Sequence, residues 1–313
     1  MAEMIATRVA YGRALARLGA QRGDVVVLDA DLSKSTMTHE FAKAYPERFV
    51  QMGIAEQDMM GTAAGLAAAG KVAYASTFAM FAAGRAYDQV RNSICYSNLN
   101  VKICATHAGL TVGEDGGSHQ CLEDIALMRV IPNMKVFVPS DAVLTEWLVR
   151  QVADVSGPVY VRLGRPAVPV IYHPEQRFEL GKAVTLREGS DVAIVACGVM
   201  VARALDAADI LAQQGISARV LDMFSIKPID AEAIDGAAAH CGAIVTAEEH
   251  SVIGGLGGAV AEAVTSGICV PVERVGVNDR FGKSGKPDQL MEVYGLTAKA
   301  VAEAAMRAIA RKR

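Results

Sequence analysis

The chain is expected to be an α/β protein of two domains, each a mainly parallel sheet with helices on both faces. Three observations predict this. Short, β-branched apolar runs alternate with helical patterns along the whole length, as strands buried on both faces of a parallel sheet require. The composition, 52% hydrophobic with only 5% aromatic and 29 glycines, favours close packing by small residues. Midway, Pro166, Pro169 and Pro174 interrupt the rhythm. A first domain over 1–165, a linker over 166–180 (its proline-rich core at 166–178) and a second domain over 181–313 follow.

Taken in order, apolar periodicity over 7–18 predicts the first helix, and the Val-rich run 24–28 predicts a strand ending at Asp29-Ala30-Asp31. Arg48-Phe49-Val50-Gln51-Met52 is a short strand-like run. Further strands are expected at 71–75, 101–106, 134–138 and 159–162, with helices at 56–69, 80–96, 122–128 and 143–154. The second domain repeats the pattern with strands at 191–197, 218–223, 243–247 and 270–275. Its helices are expected at 201–214, 231–240, 254–265 and 297–311, the last packing an Ala and Val face inward.

A net charge of -3 and a pI near 6.1 provide no electrostatic footprint for nucleic acid or an anionic membrane. No start resembling a secretory signal and no run of membrane-spanning length is seen, so a cytoplasmic protein is expected. The six cysteines form no C-x-x-C pair and lie mostly in apolar runs, reading as reduced core thiols. The basic stretch 307–313 reads as a solvated helix end.

The candidate chemistry lies mainly in the first half. Glu56, in Gly53-Ile54-Ala55-Glu56-Gln57, falls in a first helical turn, where the dipole favours its charge while burial against Met52, Ile54 and Met59 would raise its pKa. Taken alone, it is better explained as an ordinary helix-start Glu. Arg8 and Ser35 have the chemistry of phosphate partners, Ser35 just past a strand's carboxyl end, although an exposed Arg and a turn Ser account for them too. Asp31 reads as a turn or N-cap residue. Phe78 and Phe81 share a helix face, as core packing or as a stacking wall for a flat heterocycle.

The loop 107–119 holds Gly109, Gly113, Gly116 and Gly117, which let the backbone approach a ligand, beside His107, Asp115 and His119, which can exchange protons or hold hydroxyls. Spacings of eight and four between these last three match no metal pattern. Arg165, after a strand, suits bidentate phosphate capture or an ordinary surface role, with Arg162 the weaker candidate. Gly254-Gly255-Leu256-Gly257-Gly258 lacks the G-x-G-x-x-G spacing and suggests helix packing. Glu248, Glu249 and His250 read as a charged surface or subunit-contact turn.

Four ordered stretches carry a resemblance: Gly53-Ile54-Ala55-Glu56-Gln57; Ser76-Thr77-Phe78-Ala79-Met80-Phe81; Thr106-His107 through Gly113-Glu114-Asp115-Gly116-Gly117-Ser118-His119-Gln120; and Leu163-Gly164-Arg165-Pro166. In this order and spacing the chain resembles the C-terminal half of transketolase, a thiamin diphosphate family, from about Ala6 to its end. The resemblance implies that Glu56 bonds N1′ of the cofactor's aminopyrimidine and controls its tautomer. It implies that Phe78 and Phe81 wall that ring, with Asp31 near the cofactor's edge. Arg8, Ser35, His107 and Arg165 would hold the substrate phosphate, Asp115 the acceptor's C2 hydroxyl, and His119 the donor's hydroxyls. His107 and His119 are thereby also catalytic candidates. Where many relatives carry another aromatic, this chain has Gly84.

The family's Gly-Asp-Gly motif, followed some thirty residues later by Asn, holds a divalent cation and the diphosphate; it is absent from this sequence. An N-terminal partner subunit is therefore expected to supply Mg2+ or Ca2+ and the diphosphate end, in a heterotetramer. The expected activity is transfer of a two-carbon ketol unit from a ketose phosphate to an aldose phosphate; residues that bind phosphate do not read carbon number or branching, so common pentoses and an unusual pentose are both open. The alternatives are a 2-oxo acid dehydrogenase β-type subunit, half of a 1-deoxyxylulose-5-phosphate synthase, a nicotinamide-binding protein and a regulatory subunit. The phosphate set argues against the first, and Gly113-Glu114-Asp115-Gly116 against the second.

Overall fold

The computed structural model describes residues 3–312. The strands of its first half are β1 (Met4–Ala6), β2 (Val25–Asp29), β3 (Phe49–Gln51), β4 (Val72–Phe78), β5 (Val101–Thr106), β6 (Lys135–Phe137), β7 (Val159–Arg162) and β8 (Ala167–Pro169). Those of the second are β9 (Val184–Arg187), β10 (Val192–Ala196), β11 (Ala218–Asp222), β12 (Ser225–Lys227), β13 (Ile244–Ser251) and β14 (Val272–Val277). Every residue of β2, β4, β5, β7 and β10 is buried, which is why these runs are apolar on both faces.

The first sheet has seven strands in the order β12-β6-β7-β5-β4-β2-β3, all parallel except β12. The second has five, β14-β13-β10-β11-β9, parallel except for β9. Strand β12 follows β11 in the chain but pairs with β6, so the second half closes one edge of the first sheet. Small residues allow close approach where they must. A Cβ on Gly12 would lie 2.5 Å from the Met37 carbonyl oxygen, so the Thr7–Gln21 helix meets that loop backbone to backbone.

The structure departs from the sequence reading at several places. The helix expected over 80–96 consists of two π-helical segments, Phe81–Arg85 and Gln89–Cys95, marked by bonds such as Ala86 N–H to the Phe81 carbonyl at 3.1 Å. The proline-rich stretch is fastened down: β8 pairs with β1, and the Asp141 carboxylate accepts the Ile171 and Tyr172 N–H groups at 2.8 and 2.9 Å. Glu248, Glu249 and His250 form no surface turn, because all three are buried inside β13. The basic helix end is solvated as the sequence reads, Arg307 and Arg311 being exposed while they pair with Glu273 of β14; Arg313 lies outside the described residues. Of the cysteines, Cys269 is exposed and the other five are buried, all six as free thiols. Among the described residues no helix is long and apolar enough to cross a membrane.

Candidate active site

Five strand ends converge on one edge of the first sheet. Asp31 follows β2, Glu56 follows β3, Phe78 ends β4, His107 follows β5 and Arg165 follows β7. The carboxyl edge of a parallel sheet is where backbone turns present side chains to a ligand. Two groups of side chains form there, joined by His107.

The first group surrounds Glu56, which starts the Glu56–Ala68 helix and is only 2% exposed. Of the three apolar neighbours expected to bury it, Met59 is buried and Met52 partly so, but Ile54 is 78% exposed. Burial of the carboxylate comes instead with an ion pair, Arg85 Nη1 donating to Glu56 Oε2 at 2.9 Å. The Arg85 guanidinium carbon sits 4.4 Å from the Phe81 ring centre. Beyond Phe81, stacked rings continue to Phe78 at 6.0 Å, and from Phe78 to His107 at 3.9 Å. His119 meets Phe81 edge-on at 5.4 Å and shares a hydrogen bond with Ser118. Phe78 is buried and Phe81 half-buried, their ring planes 15° apart. The methyl group of Met80 fills the space beside Gly84, where a Cβ would lie 2.7 Å from it.

The second group is cationic. Arg8 Nη1 donates to the Ser35 carbonyl at 2.7 Å and its Nε to the Arg165 carbonyl at 3.1 Å. Arg165 in turn donates to the Val112 carbonyl and, at 3.3 Å, to exposed Glu114. Burial and the nearby Arg165 lower the Arg8 pKa. Burial pulls His107 down to about 3, assisted by Arg8, Arg165 and His119. The guanidinium groups of Arg8 and Arg165 form a positive field suited to a tetrahedral anion, with the neutral imidazole of His107 beside them as a hydrogen-bonding group. Asp31 and Asp115 are exposed at the periphery, Asp31 with its N–H bonded to Gln51 at 2.7 Å. Arg162, in contrast, does not face this cluster. It is 6% exposed and serves Asp124 at 2.8 Å and the Glu249 carbonyl at 2.9 Å.

A neutral His107 has a direct consequence. Its imidazole is expected to show no protonation between pH 8 and pH 5 in proton NMR, since its folded pKa of about 3 lies below that window. An inflection near the ordinary pH of about 6.5 would contradict the burial argument.

The loop bearing these histidines is set by the second half of the chain. Glu249 accepts the Thr111 N–H at 2.6 Å, and a Cβ on Gly109 would lie 2.3 Å from its carboxyl carbon. Burial pushes Glu249 up to about 7, against the pull of Arg162. Gln120 donates to the Leu110, Gly113 and Lys283 carbonyls at 3.2, 3.1 and 3.0 Å, binding the loop to the segment after β14. Sequence reasoning missed Arg85, Gln120 and Glu249. For Arg85 a signal existed, its position four residues after Phe81 in a chain poor in aromatics. For Glu249 there was none, because Thr111 is 138 positions away; Gln120 has two partners within ten residues, and only its bond to Lys283 spans the chain.

The Gly254–Gly258 stretch holds no dinucleotide loop. Glu248 accepts the Leu256 and Gly257 N–H groups at 2.7 Å each, and a Cβ on Gly255 would lie 2.0 Å from the same carboxylate. The helix N-terminus is occupied by the protein's own anion.

The chain matches the transketolase pyrimidine-binding domain over residues 3–170 and the transketolase C-terminal domain over residues 181–301. It is 51% identical over 302 residues to a putative transketolase C-terminal section from Methanocaldococcus jannaschii, covering 96% of this chain and 95% of that one. A 6-deoxy-6-sulfo-D-fructose transketolase subunit, SqwH, from a Clostridium species is 46% identical over 94% of this chain and 91% of its own. Among solved structures, a split-gene transketolase described as an inactive beta4 tetramer superimposes with a TM-score of 0.93. It is 58% identical, over 99% of this chain and 100% of that one.

Proposed function

This chain belongs to the transketolase family, and we propose that it is the C-terminal subunit of a two-subunit enzyme of that family. The reaction proposed is transfer of a two-carbon ketol unit from a ketose phosphate to an aldose phosphate, with thiamin diphosphate. The observation that carries this reading is a buried carboxylate, Glu56, beside an aromatic wall, with a cationic cluster within reach through His107. That donor set fits the pyrimidine end of the cofactor: an acid for the ring nitrogen and flat faces for the ring. Once bound, thiamin diphosphate supplies the nucleophilic carbon and the electron sink.

The roles of this chain's residues follow from their chemistry. Glu56 holds a proton at the ring nitrogen, and Phe78 and Phe81 orient the ring. Asp31 lies towards the cofactor's edge. Arg8, Arg165, Ser35 and neutral His107 bind the sugar's phosphate, the arginines as charges and the imidazole as a hydrogen-bond partner. His119, at the ring edge, and Asp115 hold sugar hydroxyls. A relative named for 6-deoxy-6-sulfo-D-fructose supports an anion-terminated ketose as the substrate class.

The sequence has no Gly-Asp-Gly motif for a cation and diphosphate, which supports an N-terminal partner holding Mg2+ or Ca2+ in a heterotetramer. Reconstitution tests the reading. The purified chain alone is expected to give no ketol transfer, and the chain mixed with such a partner, Mg2+ and thiamin diphosphate to give it. Turnover by the chain alone, or turnover by the pair without thiamin diphosphate, would overturn it.

A further inference from the structure

The pair made by Arg85 and Glu56 is chemically unusual in its setting. A guanidinium is a planar cation with N–H groups along its edge. Here one edge donates to the buried carboxylate at 2.9 Å while the group sits 4.4 Å from the centre of Phe81. An aminopyrimidine protonated on its ring nitrogen is also flat, also donates an N–H to a carboxylate, and also stacks on an aromatic ring. Arg85 therefore makes, within the chain, the same two contacts that the proposed function assigns to the cofactor's ring.

We infer that Arg85 is a built-in stand-in for the cofactor's pyrimidine, occupying Glu56 and the Phe81 face until the ring displaces it. This rests on the reading of Glu56 and Phe81 as the pyrimidine site. The local backbone serves the purpose. The π-helical turn Phe81–Arg85 adds a residue to the turn and ends on Arg85, whose guanidinium lies over Phe81. Arg85 remains 47% exposed, so it can turn to water without itself becoming a buried unpaired cation. Glu56, at 2% exposure, has no such freedom and would be a buried unpaired carboxylate without it. The stand-in thus keeps an empty subunit in order, and it competes with cofactor. Occupancy of the pocket by Arg85 lowers apparent affinity by the fraction of time the pocket is open.

The test uses the assembled pair with Mg2+ and measures thiamin diphosphate dissociation by calorimetry. The Arg85→Gln complex is expected to bind at least about fivefold more tightly than wild type, as expected if the pocket is closed most of the time. Arg85→Lys, which keeps the charge but loses the flat face, is expected to fall between. A crystal structure of the wild-type loaded complex should show Arg85 more than about 4 Å from Glu56 and off the Phe81 face.

Unchanged or weaker binding by Arg85→Gln, or a loaded structure with the Arg85–Glu56 pair intact, overturns the stand-in. Glu56→Gln separates this from failure of the site itself. Lost ketol transfer in Glu56→Gln beside unchanged affinity in Arg85→Gln refutes only the stand-in. Full activity in Glu56→Gln removes the site reading and the stand-in together.

Discussion

Replacing Glu56 by Gln is expected to lower ketol transfer by the reconstituted enzyme about 10²–10⁴-fold, the range for a positioned proton-transfer group. The amide keeps the shape of the side chain and can still accept a bond from Arg85, which is half-exposed and free to turn to water. Folding should therefore survive, and the thermal transition of the variant should stay close to that of the parent. What the amide cannot do is hold an acidic proton for a ring nitrogen. Steady-state rates at saturating thiamin diphosphate separate this from weak binding: a variant restored to full rate by excess cofactor would show that Glu56 only binds.

Arg162→Met is expected to have the largest effect on stability, about 3–5 kcal/mol, because it leaves Asp124 buried without its cation. Asp124 is fully buried, and its Oδ2 accepts both Arg162 Nε and the Tyr160 hydroxyl at 2.8 Å. The same guanidinium donates to the Cys121 and Glu249 carbonyls, so it also ties β7 to β13 of the second sheet. For domains of this size the melting point should fall by about 6–20 °C, read by calorimetry. Adding Asp124→Leu to remove the stranded charge should recover part of the loss. A fall below about 3 °C for the single variant would mean that the network contributes little.

The contrast between Arg165 and Arg162 shows what pattern can and cannot reveal. Both stand at the end of β7, three residues apart. A guanidinium at a strand end is the same signal in each, and only the direction of the side chain separates them. Arg162, the last residue of β7, turns into the space between the two halves, where Asp124 waits 38 positions away in sequence. Arg165 lies beyond the strand and joins Arg8.

The Glu248-Glu249-His250 run misled for a related reason. Three charged or titratable residues in succession look solvated unless their partners are known. Those partners are backbone N–H groups at Thr111, Leu256 and Gly257, and a buried arginine. The π-helical turns were illegible because Met80 to Tyr96 has ordinary helical composition, and a one-residue change in bonding register leaves no compositional trace.

By itself the sequence determined the alternation of buried strands and helices, from which an α/β fold with mainly parallel sheets follows. It also determined which chemical groups stand at the strand ends, since a strand that is apolar throughout can carry function only where it stops. Tertiary structure alone decided that β12 crosses to the first sheet, that Glu249 and Gln120 set the histidine loop, and that Arg85 covers Glu56. Each of these is an interaction between residues far apart along the chain or turned by a local change of helix pitch. Their energies depend on distance and burial in space, quantities that periodicity within a short window does not encode.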